Sequence, residues 1–173
     1  MSTSRETGTP RRYAYVGPQR IADEARGSPA GSPIRSVADA LAWLGDASHH
    51  EADEPGWATY VVTLDGTLRL AHRRSEHVAC AEGQAVLAAG EIALSHHGEV
   101  TFLSNNSSGY CPDLGCFEAV AAALCKAGLH APAAFTVAVP FRRCGACGAR
   151  CTVKDDFYFC DLCDEPLERA WNF

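Results

Sequence analysis

No stretch of this 173-residue sequence approaches the ~18 consecutive apolar residues of a membrane-spanning helix. Its first residues, Met1-Ser2-Thr3-Ser4-Arg5-Glu6, hold no apolar run of the kind a secretory signal needs. These two absences predict a cytoplasmic protein with no membrane association. There is no internal repeat, and no nucleophile–base pair or cofactor loop stands out at a specific spacing. Basic residues are scarce through most of the chain. Residues 36–139 carry four against twelve acids and residues 140–173 five against six; only residues 1–35, with six Arg against three acids, are net basic. Phosphate backbones are bound by clustered Lys and Arg, so nucleic acid is not an expected partner.

Apolar residues are plentiful, at 47% of the chain, and cysteine is abundant, with nine. That suits one domain of ordinary size with a small appendage. Without a secretion signal the cysteines read as metal ligands before they read as disulfides. Four of them form two C-x-x-C pairs, Cys144/Cys147 and Cys160/Cys163, with twelve residues between the pairs. Two residues between cysteines let both sulfurs reach one tetrahedral ion, and Gly145 and Gly148 free the backbone to turn there. Thr152-Val153-Lys154 and Phe157-Tyr158-Phe159 around Asp155-Asp156 read as a hairpin that brings the second knuckle opposite the first. Four thiolates leave no open position for water, so the pattern predicts one structural Zn2+ per chain. Rubredoxin-like iron has a longer usual spacing. Cys151, near the first knuckle, reads as a spare thiol, and Cys80, Cys111, Cys116 and Cys125 have no assigned role.

The fold class predicted is α+β: an antiparallel sheet with about three helices and a C-terminal zinc ribbon. Residues 1–11 read as disordered, 12–139 as the α+β domain and 140–173 as the ribbon. Tyr13–Val16 reads as a short strand, and Gly17-Pro18 opens a short helix to Ala25. Residues 27–33 are rich in breakers and read as a loop. Ser36 caps a helix with Asp39 three residues on, and Val37, Leu41 and Leu44 share one face. Trp57–Leu64 and Thr67–Leu70 flank the turn Asp65-Gly66 as a hairpin. Residues 84–94 read as a buried strand whose partner is Glu99–Leu103. Phe117, Val120, Ala121 and Leu124 have helical spacing and Gly128 stops that helix. Phe135–Val139 reads as a last strand.

The tract Leu68-Arg69-Leu70-Ala71-His72-Arg73-Arg74-Ser75-Glu76-His77 is distinctive, as are Ala88-Ala89-Gly90-Glu91 and Ser104-Asn105-Asn106-Ser107-Ser108-Gly109-Tyr110-Cys111-Pro112. With the ribbon and the ending Trp171-Asn172-Phe173, the chain resembles an uncharacterised bacterial zinc-ribbon family. That resemblance spans nearly the whole chain and implies a bacterial zinc protein without implying an activity. About forty residues are similar to a domain of plant IQ-motif calmodulin-binding proteins and some bacterial effectors, where an Ala-Ala-Gly strand precedes a Ser-Gly-His-Tyr-x-Pro loop. Here Cys111 intrudes and the histidine is missing; with no IQ motif, calmodulin binding does not carry over.

Outside the ribbon, the loop 104–111 offers many short polar donors, and Glu91 is a carboxylate among apolar neighbours that needs a partner. The candidate ligand site is Arg74, His77, Glu91, Asn105, Ser108 and Tyr110. The competing reading has Glu91 facing solvent or tying the loop down. Cys111 with His77 as base is a weaker nucleophile candidate than a buried thiol. His97-Gly98-Glu99 followed by Cys111 and Cys116 has the wrong order and spacing for a zinc deaminase. His49-His50-Glu51 with Asp53 reads as a solvated acidic loop before it reads as a metal site. Two functions remain: a recognition module for a protein or small ligand with a stabilising zinc, or a small enzyme built around Glu91 and the 104–111 loop.

Overall fold

The computed structural model describes residues 9–51 and 56–173. In chain order the elements are α1 (Gln19–Ala25), β1 (Ser32–Ile34), α2 (Val37–Gly45), β2 (Trp57–Val62), β3 (Leu68–His72), α3 (His77–Cys80), β4 (Ala88–Leu94), β5 (Val100–Leu103), α4 (Phe117–Lys126), β6 (Phe141–Arg143) and β7 (Arg150–Thr152). The first five strands form one antiparallel sheet in the order β1-β3-β2-β4-β5, and β6 and β7 form a separate pair. The architecture is α+β, with Tyr60, Leu68, Leu70, Ile92, Leu103, Val120 and Leu124 in its main core.

β2 is central and buried along nearly its whole length, because α4 lies against it and it is paired on both edges. The β2–β3 hairpin is locked by Asp65, whose Oδ1 accepts from Thr63 Oγ1 at 2.5 Å and from the Thr67 N–H at 3.1 Å. Those two donors, Thr63 first, hold the Asp65 carboxyl down at about 2. The β4–β5 contact is unusually close. A Cβ at Gly90 would sit 2.0 Å from the Ser104 carbonyl oxygen, so only glycine lets loop 104–111 approach the strand.

Four local expectations need correction. β1 lies partly where a loop was expected; Pro33 fits because β1 is an edge strand that need not donate from every residue. Helix α2 begins after Ser36 as its side chain accepts from the Asp39 N–H, but it buries Ala40 and Trp43. Val37 and Leu41 stay 39% and 43% exposed. The Trp43 ring outweighs the aliphatic stripe and turns the helix by about one residue. β4 starts at Ala88, later than the apolar run. The 135–139 segment bends at Thr136 and makes only one isolated bridge, Ser104 to Val137. Side chains replace its ladder: Thr136 Oγ1 accepts from the Leu103 N–H at 3.1 Å, and Asn105 takes the place of a strand residue beside Val139. α3 carries no periodic signal and was not anticipated.

The stretch expected to be disordered, residues 1–11, falls mostly outside the described residues. Arg11 is held by Asp113 at 2.6 Å and lies over the Trp171 ring.

Candidate metal centre

The ribbon has its own small core of Cys144, Cys151, Val153, Cys160 and Leu167. β6 leads into the first knuckle and β7 leads out of it. In that knuckle the Cys144 N–H bonds to Ala149 O at 2.8 Å and the Gly148 N–H to Cys144 O at 2.9 Å. The second knuckle repeats both bonds at the same offsets: Cys160 N–H to Glu165 O at 2.9 Å, Asp164 N–H to Cys160 O at 3.0 Å. The residue four after the first cysteine is left-handed in each, Gly148 at φ 75° and Asp164 at φ 59°. Gly or Asp tolerates that conformation. Gly145, also expected to supply turning freedom, has no positive φ. The tip between the knuckles turns through Asp155 and Asp156, both left-handed, and the bridge Lys154–Phe157 closes it.

All four sulfurs lie within 4.8 Å of one another. Cys144 Sγ is 3.6 Å from Cys163 Sγ, and Cys147 Sγ is 3.6 Å from Cys160 Sγ. A disulfide would bring sulfurs to about 2.0 Å. A tetrahedral ion with sulfur bonds of about 2.3 Å holds them about 3.8 Å apart. The quartet therefore could hold a metal ion, and it has the spacing for one. Backbone N–H groups favour its thiolates: that of Cys147 lowers Cys144, and that of Leu162, 3.4 Å from Cys160 Sγ, pulls Cys160 down to about 6. Cys147 and Cys163 receive the N–H groups of Ala149 and Glu165, yet the crowded thiols push both up, Cys163 to about 12. A divalent cation removes that repulsion. Cys151 stands outside the quartet, buried, with its sulfur 3.7 Å from Cys160 Sγ, and burial pushes its thiol up to about 11.

The ribbon is fastened to the sheet domain at named points. Arg150 Nη1 donates to Ser108 O at 2.9 Å and Val16 O at 3.2 Å. Trp171 Nε1 donates to Cys111 O at 2.8 Å, and its ring meets Tyr13 edge-on at 5.6 Å. Within the ribbon, Asn172 clamps both backbone groups of Arg143, at 2.7 Å each.

Of the six ligand-site candidates outside the ribbon, His77, Glu91 and Asn105 lie near one another around Gly90, whereas Arg74 lies apart. Asn105 is fully buried; its Nδ2 donates to Pro112 O and Val139 O, and its Oδ1 accepts from the Val139 N–H. Tyr110, also buried, donates to Gln84 O at 2.7 Å. His77 Nε2 donates to Gly90 O at 2.9 Å, and burial lowers its pKa. Ser108 is exposed and offers its carbonyl to Arg150. Glu91 accepts from Asn106 Nδ2 at 3.4 Å, so that one strand-to-loop meeting is present. Arg74 sits elsewhere, paired with Glu51 at 3.0 Å at the rim of a cleft of about 610 Å³ that Trp43, His49 and His72 also line. This cleft was missed in the sequence because its walls come from elements far apart in the chain.

No protein-family model, curated protein or solved structure matches this chain.

Three further thiols and two imidazoles have local explanations. Cys80, Cys111 and Cys116 are buried, and burial raises them to about 12, 11 and 12. Cys111 is thereby a thiol and not a ready nucleophile. His49 stacks on Trp43 at 5.1 Å, and His50 accepts from the Gly56 N–H and donates to Leu44 O. Asp53 lies outside the described residues. Among the described residues the cysteine quartet is the one group fit for a metal, and no helix is long and apolar enough to cross a membrane.

Proposed function

We propose that this chain is a zinc-binding recognition module: an α+β domain presenting a ribbon whose single structural Zn2+ is held by Cys144, Cys147, Cys160 and Cys163. The observation that carries the reading is the sulfur quartet, closed by four protein ligands with spacings near the edges of a tetrahedron. Zinc is favoured over rubredoxin-like iron by the twelve residues between the two knuckles, shorter than the usual rubredoxin interval. The metal supplies folding energy, about 10–16 kcal/mol in zinc peptides. Two three-residue strands and a five-residue core could not provide that much. Recognition is favoured over catalysis because Asn105, Tyr110 and His77 use their polar atoms on backbone partners. The resemblance to a bacterial zinc-ribbon family is in keeping with this reading and with a cytoplasmic location.

Elemental analysis of protein purified under reducing conditions is the test. One zinc per chain is expected, lost in Cys160→Ser together with the ribbon's structure. Protein without stoichiometric metal, or a variant that keeps both, overturns the proposal.

A further inference from the structure

The aromatic residues near the metal centre are treated in two ways. Tyr158 is covered: the Arg169 guanidinium carbon lies 4.2 Å from its ring centroid and that of Arg142 5.6 Å. Arg169 also reaches Asp156, at 3.2 Å. Trp171 and Phe173 are covered likewise, by Arg11 at 4.6 Å and Arg143 at 4.9 Å. Phe157 and Phe159, which alternate with Tyr158 and so face the other way, have no cation over them among the described residues. Their rings meet at 5.0 Å and remain 62% and 42% exposed. Leu162, at the tip of the second knuckle three residues beyond Phe159, is 80% exposed. Between residues 154 and 165 five exposed acids (Asp155, Asp156, Asp161, Asp164 and Glu165) stand against one base, Lys154.

We infer that the bare pair Phe157 and Phe159, with the exposed Leu162 and the acids that neighbour them in the chain, docks an arginine-bearing segment of a partner protein. The inference rests on the recognition reading above and names the partner's chemistry. Exposed apolar groups rimmed by charge mark contact surfaces. The exposed charge in this stretch is net acidic even with Lys154 present and Asp156 paired to Arg169, which selects a basic partner and disfavours acidic ones. The choice of arginine comes from the neighbouring Tyr158, over whose ring the Arg169 guanidinium sits at 4.2 Å while it also pairs with Asp156. A planar guanidinium can stack on a ring and bond a carboxylate together, which an ammonium does less well. The hairpin tip with left-handed Asp156 fixes the backbone before the two rings, and the second knuckle with left-handed Asp164 fixes it after them. Little ordering is then left to oppose binding. Three exposed side chains make a small contact, so the complex belongs to the weak, transient class.

The experiment titrates the full chain, as purified, into a fluorescein-labelled short peptide alternating Arg and Leu, and into its Lys-for-Arg counterpart, at ~0.15 M salt. The same titrations use Phe157→Ser/Phe159→Ser and Asp161→Asn/Asp164→Asn; zinc content and melting are recorded for each protein. Binding of the Arg peptide is expected, weaker by about tenfold for the Lys peptide and for each double variant, with metal retained. Equal binding of both peptides, an unchanged Phe variant, or no binding by metal-loaded protein overturns the inference. So does sedimentation showing a dimer that the Phe variant abolishes, since the occupant is then a second copy of the chain. Absence of metal would instead overturn the reading on which the inference rests.

Discussion

Asn105 and Glu91 lie close in the fold and differ in what they do there. Asn105 is inaccessible and makes three hydrogen bonds that join loop 104–111 to Pro112 and Val139. Replacing it by Ala leaves those backbone groups without partners, the Pro112 carbonyl in a buried place and the Val139 groups in a half-buried one. A loss of about 3 kcal/mol is expected, which lowers the melting temperature by roughly 6–12 °C in a chain of this size. Glu91 is only partly buried and has one long contact, to Asn106. Glu91→Gln keeps an acceptor there, so its melting temperature should stay within about 2 °C of the parent. Thermal melts of the two variants check this; equal effects would mean that Glu91 has a structural role as large as that of Asn105. The sequence pattern pointed to both residues as polar groups near an apolar strand. It could not show that one amide had become a surrogate strand.

At the scale of elements, Gly90 decides how β4, β5 and the following loop fit together. Its missing side chain lets the Ser104 carbonyl lie where a Cβ would be, at 2.0 Å, and the obstacle is backbone that cannot rotate aside. Gly90→Ala should therefore shift β5 or the loop, costing several kcal/mol and yielding little folded protein. Recovery of soluble, cooperatively melting Gly90→Ala protein with an unchanged melting temperature would refute this account. Elements were legible in the sequence where one strong local signal set them. Asp65-Gly66 fixed the β2–β3 hairpin, Ser36 fixed the start of α2, and Gly128 fixed the end of α4. They were illegible where a distant partner decided. β1 exists because β3 offers an edge beside Pro33. The 135–139 segment bonds through backbone only to Leu103, and the Thr136 and Asn105 side chains supply the rest in place of a ladder. The face of α2 was misread because periodicity counts Val37 and Leu41 but not the size of the pocket that Trp43 fills. The metal quartet was legible in full, since spacing alone encodes a knuckle. The cleft beside Arg74 was not, because nothing local encodes it.

Over the whole molecule the question is how strongly the ribbon and the sheet domain are coupled. Trp171 is the main tie: its indole donates to Cys111, its ring packs on Tyr13, and Arg11 lies across it. Trp171→Ala removes all three contacts, for about 2–4 kcal/mol, and leaves the four cysteines untouched. The expected outcome is protein with unchanged zinc content whose melting separates into two steps. Zinc release, followed by a chromogenic chelator, should no longer coincide with loss of the sheet signal in circular dichroism. Coincident transitions in the variant would show that Arg150 and the remaining contacts suffice to couple the two.

The two knuckles place one sulfur inward and one outward each: Cys144 and Cys160 are buried, Cys147 is exposed and Cys163 half-exposed. Any agent competing for a bound ion would meet the outer pair first, one sulfur from each knuckle, while the inner pair still gripped. Departure of that ion would then proceed by substitution at the open edge, without prior unfolding. How tightly the ribbon would hold an ion and how quickly it would exchange it would thus be governed by different sulfurs.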